Sequence, residues 1–225
     1  MGALPTSLNP LGVGGVRNPY VTDGLIVMFD GEWNAGIGKH NASATTWANL
    51  VGTEKPSLLS TMSWGSDCLN IPSSGTGVSI SLSTATVRHI EIVCRSDSTV
   101  STAFAVAGHE NSSFVFYQSG KALVSNAKKS VLGTFMKGAT FSLSVAYDGT
   151  TATDAWLDGI AATLNADSTS ISSGSFSTSA LRIGGRSAGT LGFMGCIYCI
   201  RVYTRALTAA EVASNYSVDQ RRFGV

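Results

Sequence analysis

Charge is what this 225-residue chain has least of: Asp, Glu, Lys and Arg together make up 13% of it, against 44% hydrophobic residues, and the net charge is +1. A disordered chain carries the reverse balance, so a folded body is expected. Displacing counterions from phosphates takes clustered cations. Lys128-Lys129 and Arg221-Arg222 are the adjacent basic pairs present, which argues against a nucleic-acid partner. No run of about 20 apolar residues occurs, and membrane insertion is not expected. Residues 1–15 also lack the basic start and continuous apolar stretch of a secretory signal.

Several chemistries are excluded by missing partners. His109-Glu110 is not followed by the second histidine of H-E-x-x-H. No G-x-S-x-G elbow appears among the many serines. Gly12 to Gly15 has no strand before it or helix after it, as a dinucleotide loop needs. Histidine is scarce, and His40, His89 and His109 are each expected to be exposed and chemically ordinary. Of the four cysteines (Cys68, Cys94, Cys196 and Cys199), the last two form a C-x-x-C inside what reads as one strand, Phe193 to Tyr203. Residues three apart on a regular strand point to opposite faces. With no second C-x-x-C or H-x-x-x-H to complete a zinc set, buried free thiols are expected, and disulfide pairing stays open.

What is present is a turn-rich, strand-forming body. Three of the five prolines, Pro5, Pro10 and Pro19, fall at the start with a Gly-rich run, so residues 1–22 read as an extended N-terminal arm and residues 23–225 as one domain. The arm is expected to pack on a neighbouring subunit or partner, because terminal segments are poorly ordered unless something holds them. Leu25 to Phe29 is a short apolar run suited to a strand covered on both faces. Phe141, Leu143, Val145 and Tyr147 alternate with small residues at period two. Arg88 to Arg95 puts Ile90, Ile92 and Cys94 on one face and His89 and Glu91 on the other, and two more strands fall at 103–107 and 114–117. Asp148-Gly149 and Asp158-Gly159 follow strands, and Asp-Gly favours the positive φ of tight hairpin turns. Thr208 and Glu211 form a capping box with Leu207 and Val212 placed as its staple, predicting a short helix over 208–217.

Taken in order, Val145 to Gly149, Ala155 to Gly159, Leu181 to Arg186, Phe193 to Leu207 and the helix start at Thr208 resemble the laminin-G-like/concanavalin A-like lectin superfamily. The branch they most resemble is common in bacterial and phage proteins. Gly24 to Gly31 and Thr45 to Leu50 extend the resemblance to about residues 23–222. It implies an all-β, antiparallel two-sheet jelly-roll sandwich with a short C-terminal helix. Members bind glycans or proteins, and some hydrolyse polysaccharides, so fold alone leaves activity open. The hydrolytic relatives carry E-x-D-x-x-E on one strand, which sets an acid and a nucleophile on one face. Here His89 to Cys94 offers one carboxylate, while Asp30 and Glu32 straddle Gly31 and read as a solvated turn pair. A non-enzyme is expected.

The reading is therefore a non-catalytic binding or adhesion module for glycans or a protein partner on a cell or virion surface. The alternative is a virion decoration or fibre protein anchored, or self-assembled, through residues 1–20. The candidate ligand contacts are Trp33, Asn34, His40, Asn41 and Trp64, which lie in loops where sandwich folds display ligand contacts. For Trp33 and Trp64, packing beneath their own loops is the favoured reading. Trp47 and Trp156 read as structural. Some laminin-G-like domains hold rim calcium through Asp and Asn oxygens. Asp23, Asp30, Asp148 and Asp154 are the aspartates that could converge, but without a compact D-x-D-x-D loop no cofactor is expected. The sequons at Asn41, Asn111 and Asn215 are read as chance in a Ser-rich chain.

Overall fold

The computed structural model describes residues 18–72, 78–80, 87–97, 104–109, 112–118, 121–124, 129–132, 138–148, 151–166, 181–185 and 193–225. Most of the segment read as an arm, residues 1–17, lies outside the described residues. In chain order the strands are β1 (Leu25–Asp30), β2 (Ser63–Trp64), β3 (Leu69–Ile71), β4 (Val78–Ile80) and β5 (His89–Ser96). Then come β6 (Phe104–His109), β7 (Ser112–Gln118), β8 (Lys121–Val124), β9 (Lys129–Leu132) and β10 (Thr140–Tyr147). β11 (Ala152–Leu157), β12 (Ile160–Ala162), β13 (Leu164–Ala166), β14 (Leu181–Ile183), β15 (Gly195–Tyr203) and the helix α1 (Ala209–Phe223) complete the chain.

The strands form two antiparallel sheets, as expected from the sequence. One has the order β12-β11-β10-β5-β15-β3-β2, with β1 also pairing β15, and the other runs β13-β9-β8-β7-β6-β14-β4. β15 is the longest strand. β5 pairs along its whole length on one edge, while β1 (at Cys199 to Tyr203) and β3 (at Gly195 to Ile197) share the other. Period-two alternation sends Phe141, Leu143 and Val145 of β10 and Ile90, Ile92 and Cys94 of β5 inward. There they meet Ala122, Val124, Val131, Leu181 and Ile183 from the second sheet. Each large aliphatic side chain buried in this way contributes about 1.5–3 kcal/mol. The Asp158-Gly159 turn joins β11 to β12 with φ of 49° and 72°, the positive values that its sequence predicts. Gly159 is also needed for space, since a Cβ there would lie 2.4 Å from the Tyr216 ring of α1.

Helix α1 covers the other face of the first sheet. Thr208 and Glu211 make the reciprocal cap, and Arg205 grips the Glu211 carboxylate at 2.6 and 2.9 Å. The hydrogen bonds from Arg205 hold that carboxyl down at about 2. The helix runs six residues beyond the predicted end at 217, to Phe223, and stops at Gly224 in the left-handed conformation. Tertiary contact sustains the extra turns. Val218 packs with Tyr20 and Met28, Asp219 and Arg222 bind charged partners in the sheet, and Phe223 stacks near Tyr198.

Between helix and sheet lies a buried ionic cluster that the sequence reading did not find. Arg201 of β15 is 1% exposed, and its guanidinium donates to Glu91 of β5 at 2.7 Å and to both oxygens of Asp219 at 2.8 and 2.5 Å. Asn215 Nδ2 donates to Glu91 at 2.8 Å, and Tyr20 OH donates to Asp219 at 2.9 Å while its ring lies 4.1 Å beneath the Arg201 guanidinium. Alongside, Arg222 makes a bidentate contact with Asp30 (2.6 and 2.9 Å) and reaches Glu32 at 2.7 Å. Asp30 is therefore fully buried, and the reading of Asp30 and Glu32 as a solvated turn pair is corrected; only Glu32, 46% exposed, meets water. Burial pushes the carboxyls of Asp30 and Asp219 up from the usual carboxylate range, against the pull of Arg222 and Arg201.

Two further expectations are revised here. A β-bulge in β15 between Ile197 and Cys199 turns Tyr198 and Cys199 outward together, so Cys196 and Cys199 share the outer face. Strict alternation had put them on opposite faces. His89, expected to be exposed, is fully buried beneath the helix start. The Leu207 amide donates to its Nδ1 (3.3 Å), which leaves Nε2 to donate to Ser144 Oγ at 2.7 Å. This fixes the neutral Nε2–H tautomer. Burial first, then the charges of Arg201 and Arg205, lower its pKa to about 3. His40 is exposed, as expected, while the His109 side chain lies outside the described residues.

Arg201→Met should leave Glu91 and Asp219 buried without their cation and destabilise the fold by about 3–5 kcal/mol, read as a lower urea midpoint at unchanged slope. His89 supplies a second test. The unfolded imidazole takes a proton near its ordinary pKa and the folded one does not until about pH 3. Its stabilising effect is thus complete above about pH 6.5 and declines below it, by at most about 1.4 kcal/mol per pH unit. Urea unfolding between about pH 7 and 4 should show the wild type losing stability more steeply than His89→Gln; parallel losses would mean that His89 is not held neutral.

Candidate functional site

Among the described residues, a cleft lies where two loops meet beside the short edge strand β2. The isolated bridge Thr46↔Ser57 and the bond from Leu58 N to Thr45 O (2.8 Å) lay residues 42–45 against 58–64. Between them is a cavity of about 270 Å³. Leu58, Leu59, Met62 and Trp64 supply its apolar wall, and the hydroxyl-bearing residues Ser43, Thr45, Ser60 and Ser63 its polar rim. No charged side chain lines it. Trp64 is fixed from behind: its Nε1 donates to Ala44 O at 2.8 Å, and its ring meets Trp47 edge-on at 5.4 Å. Trp47 is fully buried, donates from Nε1 to Asp30 O at 3.0 Å and so ties this corner to the end of β1.

The predicted contacts divide between two places. Trp64 lies on the cleft. Asn41 and His40 are exposed on the segment leading into it, with Asn41 Oδ1 accepting from Ser43 N (2.9 Å) and His40 Nδ1 near Gly31 O (3.1 Å). Asn34 is 1% exposed and clips this segment from behind, exchanging bonds of 2.9 and 2.8 Å with the Asn41 backbone. Trp33 is elsewhere. It packs with Tyr20, Met28 and Val218 on the helix side of the sheet, under the Arg222 guanidinium at 3.9 Å. For Trp33 and Asn34 the structural role is the one observed. The cleft residues that sequence reasoning missed, chiefly Leu58, Leu59, Ser60 and Met62, lie in an irregular segment with no motif; two adjacent leucines outside any strand were the available signal.

Acidic groups do not gather at this cleft. Glu91 and Asp219 approach each other only through Arg201 and are 2% and 0% exposed, so no sugar can enter between them. Among the described residues no three His, Cys, Asp or Glu side chains form a metal-binding group. The four aspartates considered for calcium have separate settings: Asp23 pairs with Arg205, Asp30 with Arg222, Asp148 accepts from the Thr151 amide, and Asp154 is exposed on β11. Asn215, in one of the sequons, is fully buried and hydrogen-bonded, so the folded chain cannot present it for glycosylation. No described helix is long and apolar enough to cross a membrane.

The family model of the concanavalin A-like lectin/glucanases superfamily matches residues 70–213, a shorter span than the 23–222 covered by the resembling motifs. Among solved structures, Trypanosoma rangeli sialidase superposes with a TM-score of 0.66 at 14% identity, over 96% of this chain and 36% of that one. The same sialidase in complex with sialic acid gives 0.62 at 11%, again over 96% and 36%. The binding domain of botulinum neurotoxin serotype D gives 0.54 at 9%, over 87% of this chain and 52% of that one. Identities this low establish a shared fold. The chain spans about a third of the sialidase and half of the toxin domain. No curated protein matches the chain in sequence.

Proposed function

Because the chain belongs to the concanavalin A-like lectin/glucanases superfamily, we propose that it is a non-catalytic carbohydrate-binding module whose contact site is the Trp64 cleft. The observation that carries this reading is the cleft's composition: an apolar wall that includes an indole, a rim of Ser and Thr hydroxyls, and no charge. A sugar ring has the matching chemistry, with C–H surface to lie on the apolar wall and hydroxyls to meet the rim. At about 270 Å³ the cavity is just below the roughly 300–1,000 Å³ of drug-sized pockets, which suits one ring or the end of a glycan. The ligand class is a neutral sugar. A carboxylated one would be desolvated there with no cation to pair it.

The setting of the buried acids supports the non-catalytic reading. Glu91 and Asp219 are occupied by Arg201 and closed to solvent, and Asp30 is buried against Arg222. Most glycosidases place two carboxyl groups on either side of an accessible bond.

A glycan array probed with the wild type and with Ser60→Trp tests this directly. Ser60 is an exposed rim residue, so an indole there fills the cleft without removing a packed group. Neutral glycans should be retained by the wild type and lost, by about tenfold or more in Kd, by the variant at unchanged melting temperature. Binding restricted to sialylated glycans, or equal binding by the variant, would refute the site. Release of reducing ends from a bound polysaccharide would refute the non-catalytic assignment.

A further inference from the structure

Away from the cleft face, two thiols meet on the outer side of the first sheet. Cys196 of β15 stands opposite Asn70 of β3 in register, and Cys68 lies two residues before Asn70, on the same face. Asn70 Oδ1 accepts from both, at 2.9 Å from Cys196 Sγ and 3.6 Å from Cys68 Sγ, so the two sulfurs share one acceptor. Arg95 places Nη2 at 3.1 Å from Cys196 Sγ. We propose that Cys68 and Cys196 are a redox modification site, a dithiol that a peroxide oxidises to a disulfide joining β3 to β15.

The surroundings give the two sulfurs different parts. The neighbouring Cys68 thiol and the charge of Arg95, whose Nη2 lies 3.1 Å from Cys196 Sγ, lower the pKa of Cys196, while the Cys196 sulfur and burial raise that of Cys68. Cys196 is therefore the thiol that ionises more readily, giving up the proton that it otherwise donates to Asn70 Oδ1, and the thiolate is the form that attacks. Cys94 and Cys199 are fully enclosed, and burial pushes both of their thiols up. They are the inert pair. Cys68 and Cys196 are themselves only 4% and 3% exposed, with partly buried Phe223 and Val225 packed against their cluster and Arg95, 35% exposed, beside Cys196. The oxidation requires a local opening of these residues large enough for a peroxide. Cys68 sits at the β2–β3 hairpin turn, where its carbonyl accepts from Gly65 N, and its Sγ faces the open side of that glycine.

The chemistry balances with hydrogen peroxide as the named oxidant. The Cys196 thiolate attacks one peroxide oxygen, the O–O bond breaks, and the departing hydroxide takes a proton to become water, leaving a sulfenic acid. The Cys68 sulfur then attacks the Cys196 sulfur. The S–O bond breaks, the S–S bond forms, and the leaving hydroxide takes the Cys68 proton as a second water. Two thiols lose two electrons to one peroxide.

The test uses the full chain, reduced, desalted and exposed to one equivalent of hydrogen peroxide, with remaining thiols then alkylated and the digest mapped by mass spectrometry. The expected product joins the peptides of Cys68 and Cys196, with Cys94 and Cys199 alkylated. Cys68→Ser should stop at a Cys196 sulfenic acid that dimedone captures, Cys196→Ser should leave Cys68 reduced, and Arg95→Met should slow the oxidation by about three- to tenfold. The folded state is checked by circular dichroism in each case. Both thiols remaining reduced while free glutathione is consumed, dimedone capture at Cys68, or a bond from Cys196 to Cys199 would each overturn the proposal.

Discussion

A guanidinium without access to water must find its hydrogen-bond acceptors inside the protein, and Arg201 finds them in two separate layers. Glu91 comes from the neighbouring strand and Asp219 from the third turn of the helix. Neither layer satisfies the cation alone. Removing the helix would leave Arg201 half paired, and removing the cation would leave two carboxylates buried without a charge partner. Tyr20 and Val21 are drawn into the same arrangement, Tyr20 through Asp219 and Val21 through Asn215 Oδ1, although they precede the first strand by several residues. The helix, the central strands and the entry segment thus become one cooperative unit. An apolar interface of equal volume could be as stable. What the ionic one adds is a defined register between helix and sheet.

That arrangement also decides which faces of the first sheet are open. With α1 and its charged residues sealing the outer face, and the sandwich core filling the inner one, the middle of the first sheet is closed on both sides. Among the described residues a cleft lies at the corner beside β2, where the Thr46↔Ser57 bridge sets two irregular loops against each other. Trp47 connects the two regions: its indole nitrogen binds the carbonyl of Asp30, whose carboxylate is held by Arg222 of the helix. The cleft therefore stands on a rigid corner, and its indole wall is set before any ligand arrives.

The bulge in β15 has a similar reach. One extra residue at Tyr198 changes which side chains face out, and this collects Cys196, Tyr198 and Cys199 into one outward cluster with Cys68 and Val93. Without it the chain would return to simple alternation, and Arg201 two residues later would point into the apolar core. The position of the cation and the company of the cysteines are set by the same local irregularity.

The amino-acid sequence alone determined the local geometry. Period-two alternation specified strands and their inward faces, Asp158-Gly159 specified a turn with positive φ, and Thr208 with Glu211 specified the helix start. In each case the cause and the effect lie within a few residues of one another. The tertiary structure decided what lay outside that range. His89 and Asp30 are polar residues whose types suggest solvent, yet distant segments cover them. Asn34 and Trp33 lie side by side in the chain but serve different layers. The wall of the cleft comes from loops brought together by a single bridge across 11 residues. Burial and convergence depend on which segments meet, and that is a property of the assembled layers, which a reading of neighbours along the chain does not contain.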